Sequence, residues 1–191
     1  MFPSETTFKQ KASFGLLTIT CLLLLVGLSG CPYNSVYQLD DSPQFLADTS
    51  LFGSWTGTLT EESGRQRTVN MDLFKSDDEH IYNVAFRGFF GKKDKKGKEI
   101  ADTVYGKMFM SVVKDRNMVN LRLFERNYIA EFNYKNEEIS LLPLNEHFTS
   151  FFIKSNTTLR RLVTYHYDTR IYPLYDDVFC LKNMKRVTEN R

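Results

Sequence analysis

Apolar and polar residues alternate along most of residues 51 to 141, and this period of two constrains the fold more than any other feature. In the first segment Trp55, Gly57 and Leu59 alternate with hydroxylated residues. Such alternation places apolar side chains on one face of a β-strand. Six further segments repeat the pattern, with predicted inward sets Val69, Met71 and Leu73; Tyr82, Val84 and Phe86; Val104, Met108, Met110 and Val112; Val119, Leu121 and Leu123; Tyr128, Ala130, Phe132 and Tyr134; and Ile139 and Leu141.

Short polar turns separate most of these segments, for example Glu62-Ser63-Gly64 and Lys135-Asn136-Glu137. Parallel strands would need crossovers of a dozen or more residues, so the sequence predicts an antiparallel meander. A twisted meander with one apolar face curls, and closure removes exposed sheet edges. We therefore predict a mainly β fold, a lipocalin-like barrel or half-barrel, in which Gly106 marks a bend or bulge.

The hydrophobic period changes after Pro143. Leu144, Phe148, Phe151 and Phe152 fall at helical spacing after Asn145, although the same run also fits a strand. A second helix is predicted with Asn156 as its N-cap and with Leu159, Leu162, Val163 and His166 on one face. One or two helices near the C-terminus are thus expected, followed by a final strand at 178–182 that is able to close the barrel.

The first thirty residues have the order of an export signal. Lys9 and Lys11 precede an uncharged apolar stretch, residues 12–28, which ends in Ser29 and Gly30. A basic region, an apolar region and a zone of small residues define a signal peptide. The stretch is short for a membrane-spanning helix and lacks a basic flank after it.

The residues Leu28-Ser29-Gly30-Cys31 resemble the lipobox of bacterial lipoproteins. The resemblance implies cleavage before Cys31, a diacylglycerol on its thiol, and fatty acyl chains such as palmitate. Pro32 stands where Asp favours inner-membrane retention in enterobacteria, so the expected location is the cell envelope, lipid-anchored in the outer membrane and facing the periplasm. We assign residues 1–30 to the signal, 31–50 to the lipidated Cys and a polar tether, and 51–191 to the barrel.

Catalytic and metal-binding motifs are absent from the sequence. His80, His147 and His166 lie far apart, and neither a zinc-type His or Cys spacing nor a nucleophile elbow occurs. His166-Tyr167-Asp168 is the nearest approach to an acid/base cluster, but neighbouring side chains point in different directions. We expect no catalytic residue, metal or cofactor.

The number of cysteines and the net charge limit which partners are expected. Cys21 leaves with the signal and Cys31 takes the lipid, so Cys180 has no partner for an internal disulfide and is expected to be a buried hydrophobe. A net charge of +2 gives no global basic field, so no nucleic acid is expected.

A second resemblance lies at Gly53-Ser54-Trp55, at the start of the first strand. A Gly-x-Trp there, with a meander and a late helix, looks like the lipocalin and calycin group of small-molecule binders. The resemblance implies that Trp55 plugs the closed end and that Gly53 lets the chain pass beneath it. The late Arg that stacks on the Trp in that group is Arg170, Arg186 or missing here, and the group's second motif has no counterpart.

A lysine-rich tip follows the third strand, and its basic residues are Lys92, Lys93, Lys95, Lys96 and Lys98. Lysines near a bilayer are attracted to anionic head groups, which is the functional interpretation of the tip. The alternative is a solvated hairpin loop that resists edge pairing.

Two functions fit these features. In the first, the barrel carries a small apolar ligand such as a fatty acid in a cavity lined by Trp55, Tyr82, Phe86, Met108, Met110, Phe132 and Tyr134. In the second, large side chains fill the barrel, and the protein is an accessory, assembly or inhibitory subunit that binds an envelope protein partner. The sequence favours the ligand carrier as the working hypothesis. A continuous apolar cavity of at least about 300 Å³ would support the carrier, and a packed interior would support the protein-binding subunit.

Overall fold

The structure, a computed structural model, describes residues 33–61, 63–89, 102–145, 153–170 and 174–188. All of these residues belong to one compact unit, Pro32–Arg191. Several sequence predictions lie outside the described residues: the signal peptide at 1–30, the lipidation of Cys31, the membrane-contacting lysines of the tip, and most of the first of the two helices.

The described residues form nine β-strands and one α-helix. The helix, α1, spans Asn156–Thr169, and a 3-10 turn at Thr49–Leu51 precedes the second strand. The strands are β1 Asn34–Ser35, β2 Gly53–Thr60, β3 Gln66–Lys75, β4 Tyr82–Arg87, β5 Thr103–Val113, β6 Arg116–Leu123, β7 Arg126–Lys135, β8 Glu138–Pro143 and β9 Leu181–Arg186.

Strands β2 to β9 close into an eight-stranded antiparallel barrel. Each strand pairs with the next in sequence from β2 to β8, and β9 pairs with both β8 and β2. The predicted mainly β barrel is therefore confirmed, and it is fully closed. The final strand begins at Leu181 rather than Val178, because Asp176 holds Val178 and Phe179 in a turn through their backbone N–H groups.

Most of the predicted inward residues belong to one continuous apolar core, whose largest fully buried members include Trp55, Tyr82, Phe86 and Phe132. Val112 and Tyr134 are not part of this core. Period-two alternation was sufficient to place these residues, because each strand has one face on this core and the register follows from the pleat.

Gly106 occupies a point where β5 and β6 approach closely. A Cβ atom at this position would lie 2.4 Å from the carbonyl oxygen of Arg122 and 2.4 Å from a methyl carbon of Leu123. Only a residue without a side chain fits against backbone at that distance. The β4–β5 pairing runs through Gly106 without a register shift, so this glycine marks a close approach of two strands and not a bulge.

We expect Gly106→Ala to lower the free energy of unfolding by about 1 to 3 kcal/mol, because the barrel must expand to admit one methyl group. Chemical denaturation measures this loss. Gly57→Ala is the matched control, since its Cβ would meet a side-chain atom, Met184 Cγ at 2.8 Å, with no backbone atom closer than 3.6 Å. Equal losses for the two variants would contradict a backbone constraint at Gly106.

A second apolar cluster lies on the outer wall of the barrel, beneath α1. Leu159 and Val163 of the helix pack there with Ile129 of β7, on the face predicted for this helix. Ser155, and not the predicted Asn156, caps the helix by accepting a hydrogen bond from the Thr158 N–H at 3.1 Å, and Asn156 is the first helical residue. Among the helices of the described ranges, none has the length and hydropathy of a membrane span.

The N-terminal residues from Tyr33 belong to the same outer cluster. Tyr33 and Leu39 are buried in it, and β1 pairs antiparallel with β7. The Tyr33 N–H donates to the Leu144 carbonyl at 3.0 Å. Residues 33–50 were predicted to form a polar tether, but the structure packs Tyr33 and Leu39 of this connection against the barrel wall. Its other large apolar side chains, Val36, Phe45 and Leu46, are exposed.

Candidate functional site: the barrel interior and the Trp55 end

Trp55 closes one end of the barrel. Its side chain has no solvent-accessible surface, and its indole N–H donates to the Leu51 carbonyl at 3.0 Å. Tyr134 packs edge-on against the indole with ring centroids 6.0 Å apart. The 3-10 turn that ends at Leu51 therefore lies across this end, held by the only polar atom of the tryptophan side chain.

Arg186 of β9 lies over the outer side of Trp55. Its guanidinium carbon is 4.5 Å from the ring centroid, a cation–π geometry. The same guanidinium donates to the Phe52 carbonyl at 2.7 Å and to the Ser50 carbonyl. Arg186 thus joins the last strand to the chain that enters the first strand of the barrel.

Gly53 is required by this arrangement. Its φ of +130° is disfavoured for residues with side chains, and a Cβ would lie 2.9 Å from a guanidinium nitrogen of Arg186. Of the two arginines suggested by the lipocalin resemblance, Arg186 contacts Trp55. Arg170 instead ends α1 in the left-handed conformation.

We expect Arg186→Ala to lower the free energy of unfolding by about 1 to 2 kcal/mol, because it removes one cation–π contact and two charge-assisted hydrogen bonds at a solvent-exposed site. Lys185→Ala, the outward neighbour on β9, is the control and should change stability by less than about 0.5 kcal/mol. Thermal or urea unfolding compares the two. If the variants are indistinguishable, the Arg186 contacts do not stabilise the closed end.

The structure brings all seven predicted cavity residues to the interior face. Trp55, Tyr82, Phe86, Met108 and Phe132 are buried there. The other two are more exposed: Met110 is half-buried, and Tyr134 lies at the rim beside Trp55 with 44% of its surface exposed.

Tyr82 also makes a hydrogen bond that stabilises the fold. Its hydroxyl oxygen accepts a 2.6 Å hydrogen bond from the backbone N–H of Asp48, just before the 3-10 turn. Burial raises the pKa of the Tyr82 hydroxyl. The phenol is therefore neutral at physiological pH and ties the entering chain to β4.

The interior side chains leave little accessible surface. Leu121 is the most exposed buried residue of the core, at 8%. A ligand pocket has a volume of about 300 Å³ or more, and its wall residues would show accessible surface. The residues of the core with none at all are Trp55, Val69, Met71, Val84, Met108, Val119, Ile139 and Met184. These described residues of the barrel interior are therefore closely packed and shielded from solvent.

A buried carboxylate on the outer wall was not predicted. Glu131 of β7 is 5% exposed, and Arg116 donates to both of its oxygens at 3.1 and 2.9 Å. The hydroxyls of Tyr167 at 3.0 Å and Tyr175 also donate to it, as does the Asn133 amide at 3.0 Å. The network joins the barrel wall, the end of α1 and the chain that returns to β9.

The charges of this network follow from its hydrogen bonds. Burial alone would raise the pKa of Glu131, but the hydrogen bonds from its four partners lower it below its ordinary value. Burial and the neighbouring carboxylate raise the pKa of Tyr175 to about 12 and raise that of Tyr167 as well. A stable carboxylate, held by neutral phenols and one guanidinium, fixes structure rather than transferring protons.

Glu131 was missed because charged residues in strands are usually solvent-exposed. The available signal was β7 itself, where Ile129 is an apolar residue on the polar face of the alternation. A strand with apolar residues on both faces is covered on both sides. A carboxylate on that second face then needs buried partners.

We expect Glu131→Gln to lower the free energy of unfolding by about 1 to 3 kcal/mol at pH 7. The folded pKa is below the unfolded value of about 4.3, so the network stabilises the fold above that pH, and this stabilisation is lost as the pH falls through the folded pKa. The gap between wild type and variant should therefore narrow from pH 6 to pH 3 in denaturation experiments. The control Glu138→Gln, a partly exposed site with one cation at 3.9 Å, should show a much smaller change. A pH-independent gap for Glu131→Gln would contradict the ionised network.

The sequence neighbours His166, Tyr167 and Asp168 do not form a site. Tyr167 reaches Glu131, Asp168 pairs with Lys114, and His166 contacts the ring of Tyr165. Cys180 is buried, and burial raises the pKa of its thiol to about 11. The Cys180 thiol is therefore protonated and poorly nucleophilic at neutral pH.

Comparisons with known proteins add one structural likeness. No family model matches the chain, and no curated protein matches it. A solved structure of a redesigned β-barrel is similar over 56% of this chain and 90% of its own, with 16% identity and a TM-score of 0.37. A TM-score of this size carries no weight for function.

Proposed function

We propose that the protein is a lipid-anchored bacterial envelope lipoprotein without enzymatic activity, whose packed barrel binds an envelope protein partner. The anchor is supported by Leu28-Ser29-Gly30-Cys31 after an apolar signal region. Two or three acyl chains on Cys31 hold a protein stably on a membrane, because each buried CH₂ contributes about 0.8 kcal/mol. The proposed location is the periplasmic face of the outer membrane.

The packed interior is the observation that favours a protein partner over an apolar ligand. The largest residues of the predicted cavity wall, Trp55, Tyr82, Phe86 and Phe132, fill the space that a carrier would leave for its ligand. Tight packing of this kind costs stability when a ligand displaces it. Binding through the outside of the barrel carries no such cost.

The outer wall has aromatic surface available for a partner. Tyr105 of β5 is 71% exposed, and Phe74 of β3 is 42% exposed. Both point outward, and Ala85 of β4 stands directly across from Tyr105 in the register. Exposed aromatic side chains on rigid strands are typical of protein-binding surfaces.

Substitution of Phe132 by Ala tests whether the interior is packed. In a packed core Phe132→Ala removes contacts on all sides, and the free energy of unfolding should fall by about 3 to 5 kcal/mol. Urea denaturation measures the loss, and Tyr105→Ala on the outer wall is the control, with little expected change. A loss below about 1.5 kcal/mol would mean that Phe132 already borders a cavity, which favours the carrier.

Mass spectrometry tests the anchor and the ligand together. The protein extracted from membranes should have the mass of residues 31–191 plus diacylglycerol and one further acyl chain, whereas Cys31→Ser should keep the unmodified mass of the unprocessed chain. Native spectra before and after solvent extraction should agree. An extractable adduct of lipid size would replace the protein-binding proposal by the carrier, and an unmodified Cys31 would remove the anchor.

A further inference from the structure

The segment from Tyr33 to Asp41, here called the docked segment, lies between the outer wall of the barrel and α1. It begins at Tyr33, which is 2% exposed, and continues into β1, where Asn34 stands opposite Tyr128 and Ser35 opposite Asn127 of β7. Leu39 is also 2% exposed in the outer apolar cluster. The docked segment is therefore an integral part of the folded unit.

Three asparagines from three different elements bind its backbone. Asn120 of β6 accepts a hydrogen bond from the Leu39 N–H at 2.7 Å, and Asn156 of α1 accepts one from the Gln38 N–H at 3.0 Å. Asn127 of β7 donates to the Val36 carbonyl at 3.2 Å and accepts from the Gln38 side-chain amide at 3.2 Å. Backbone recognition by fixed side chains specifies an extended chain at this position.

Two of these asparagines, Asn120 and Asn127, are buried on the outer faces of their strands. Asn120 is fully enclosed, and its amide also donates to Ser111 at 2.7 Å. Release of the docked segment would leave the oxygen of Asn120 without the Leu39 partner, and an unpaired buried polar atom is costly. The barrel wall therefore contains polar groups that are satisfied by this segment.

An ion pair holds the far end of the segment. Arg160 of α1 pairs with Asp40 and also donates to the Val112 carbonyl of β5. The neighbouring Arg161 is exposed. From Tyr33 to Asp40, hydrogen bonds, burial and charge thus hold the segment along its whole length.

We infer that the docked segment holds the barrel directly against the bilayer that carries its anchor, in place of a free tether. The inference rests on the proposed lipidation of Cys31. Only Pro32 separates Cys31 from Tyr33, and two residues span at most about 7 Å. A free chain from Cys31 to the barrel at Leu51 would span up to roughly 66 Å when extended.

Energy transfer on vesicles tests the distance. The full-chain lipoprotein, labelled with a donor dye at Tyr105→Cys, is reconstituted into phosphatidylglycerol and phosphatidylethanolamine vesicles that carry an acceptor lipid. Cys180 is buried, so the introduced thiol is the one that reacts. We expect high transfer for this protein and a clear decrease when a flexible Gly-Ser linker of about 16 residues is inserted after Pro32. Equal transfer with and without the linker would overturn the inference.

Variants that remove single contacts of the docked segment test whether these contacts keep the barrel near the bilayer. Leu39→Ser and Arg160→Ala should lower the transfer towards the value for the linker insertion, whereas Arg161→Ala should leave it unchanged. The barrel core is separate from the outer cluster, so these variants should keep their cooperative unfolding. Unchanged transfer in both contact variants would contradict the role of the docked segment.

Hydrogen exchange distinguishes failure of the inference from failure of the anchor. In the full chain, the Gln38 and Leu39 amides should exchange more slowly than in Leu39→Ser, whether or not Cys31 is acylated. Fast exchange in the acylated protein would overturn the inference and leave the anchor intact. Slow exchange in a protein whose mass shows no lipid would instead remove the proposed anchor, and with it the membrane contact.

Discussion

The fold depends on the pairing of β9 with both β2 and β8, because this pairing turns a seven-stranded meander into a closed barrel. Without β9, the first and last strands of the meander would each present an unpaired edge, and the interior would open along one side. Closure also brings Arg186 over Trp55. The strand that completes the hydrogen-bond ladder therefore also supplies the arginine that holds the closed end. The enclosed core and the arrangement around Trp55 both depend on this pairing.

Most of the barrel could be predicted from the sequence because each strand needs only local information. Alternation at Trp55 to Leu59 or at Val119 to Leu123 reports one buried face, and the short turns leave few topologies other than a meander. The predicted start of the last strand, Val178, was wrong, because the strand begins at Leu181. Val178 and Phe179 have high strand propensity, but a turn around Asp176 uses their N–H groups, and tertiary context overrides propensity there.

The outer wall was harder to predict, because its contacts join residues far apart in sequence. Residues 33–50 have the polar composition of a linker, and only partners more than eighty residues away, such as Asn120, make part of this segment structured. Glu131 has the same character, since its donors come from β6, β7, α1 and the chain before β9. Composition shows which residues are polar, but not which polar residues find partners.

The contacts of Arg186 at the closed end also bear on when the barrel closes during folding. Arg186 and Phe52 are 134 residues apart in sequence, so their hydrogen bond forms only when nearly the whole domain is present. Contacts of such high contact order form slowly, because a long loop must first be closed. A chain synthesised from its N-terminus therefore cannot complete this barrel before its last strand has been made. Until then, the outer edges of β2 and β8 stay unpaired.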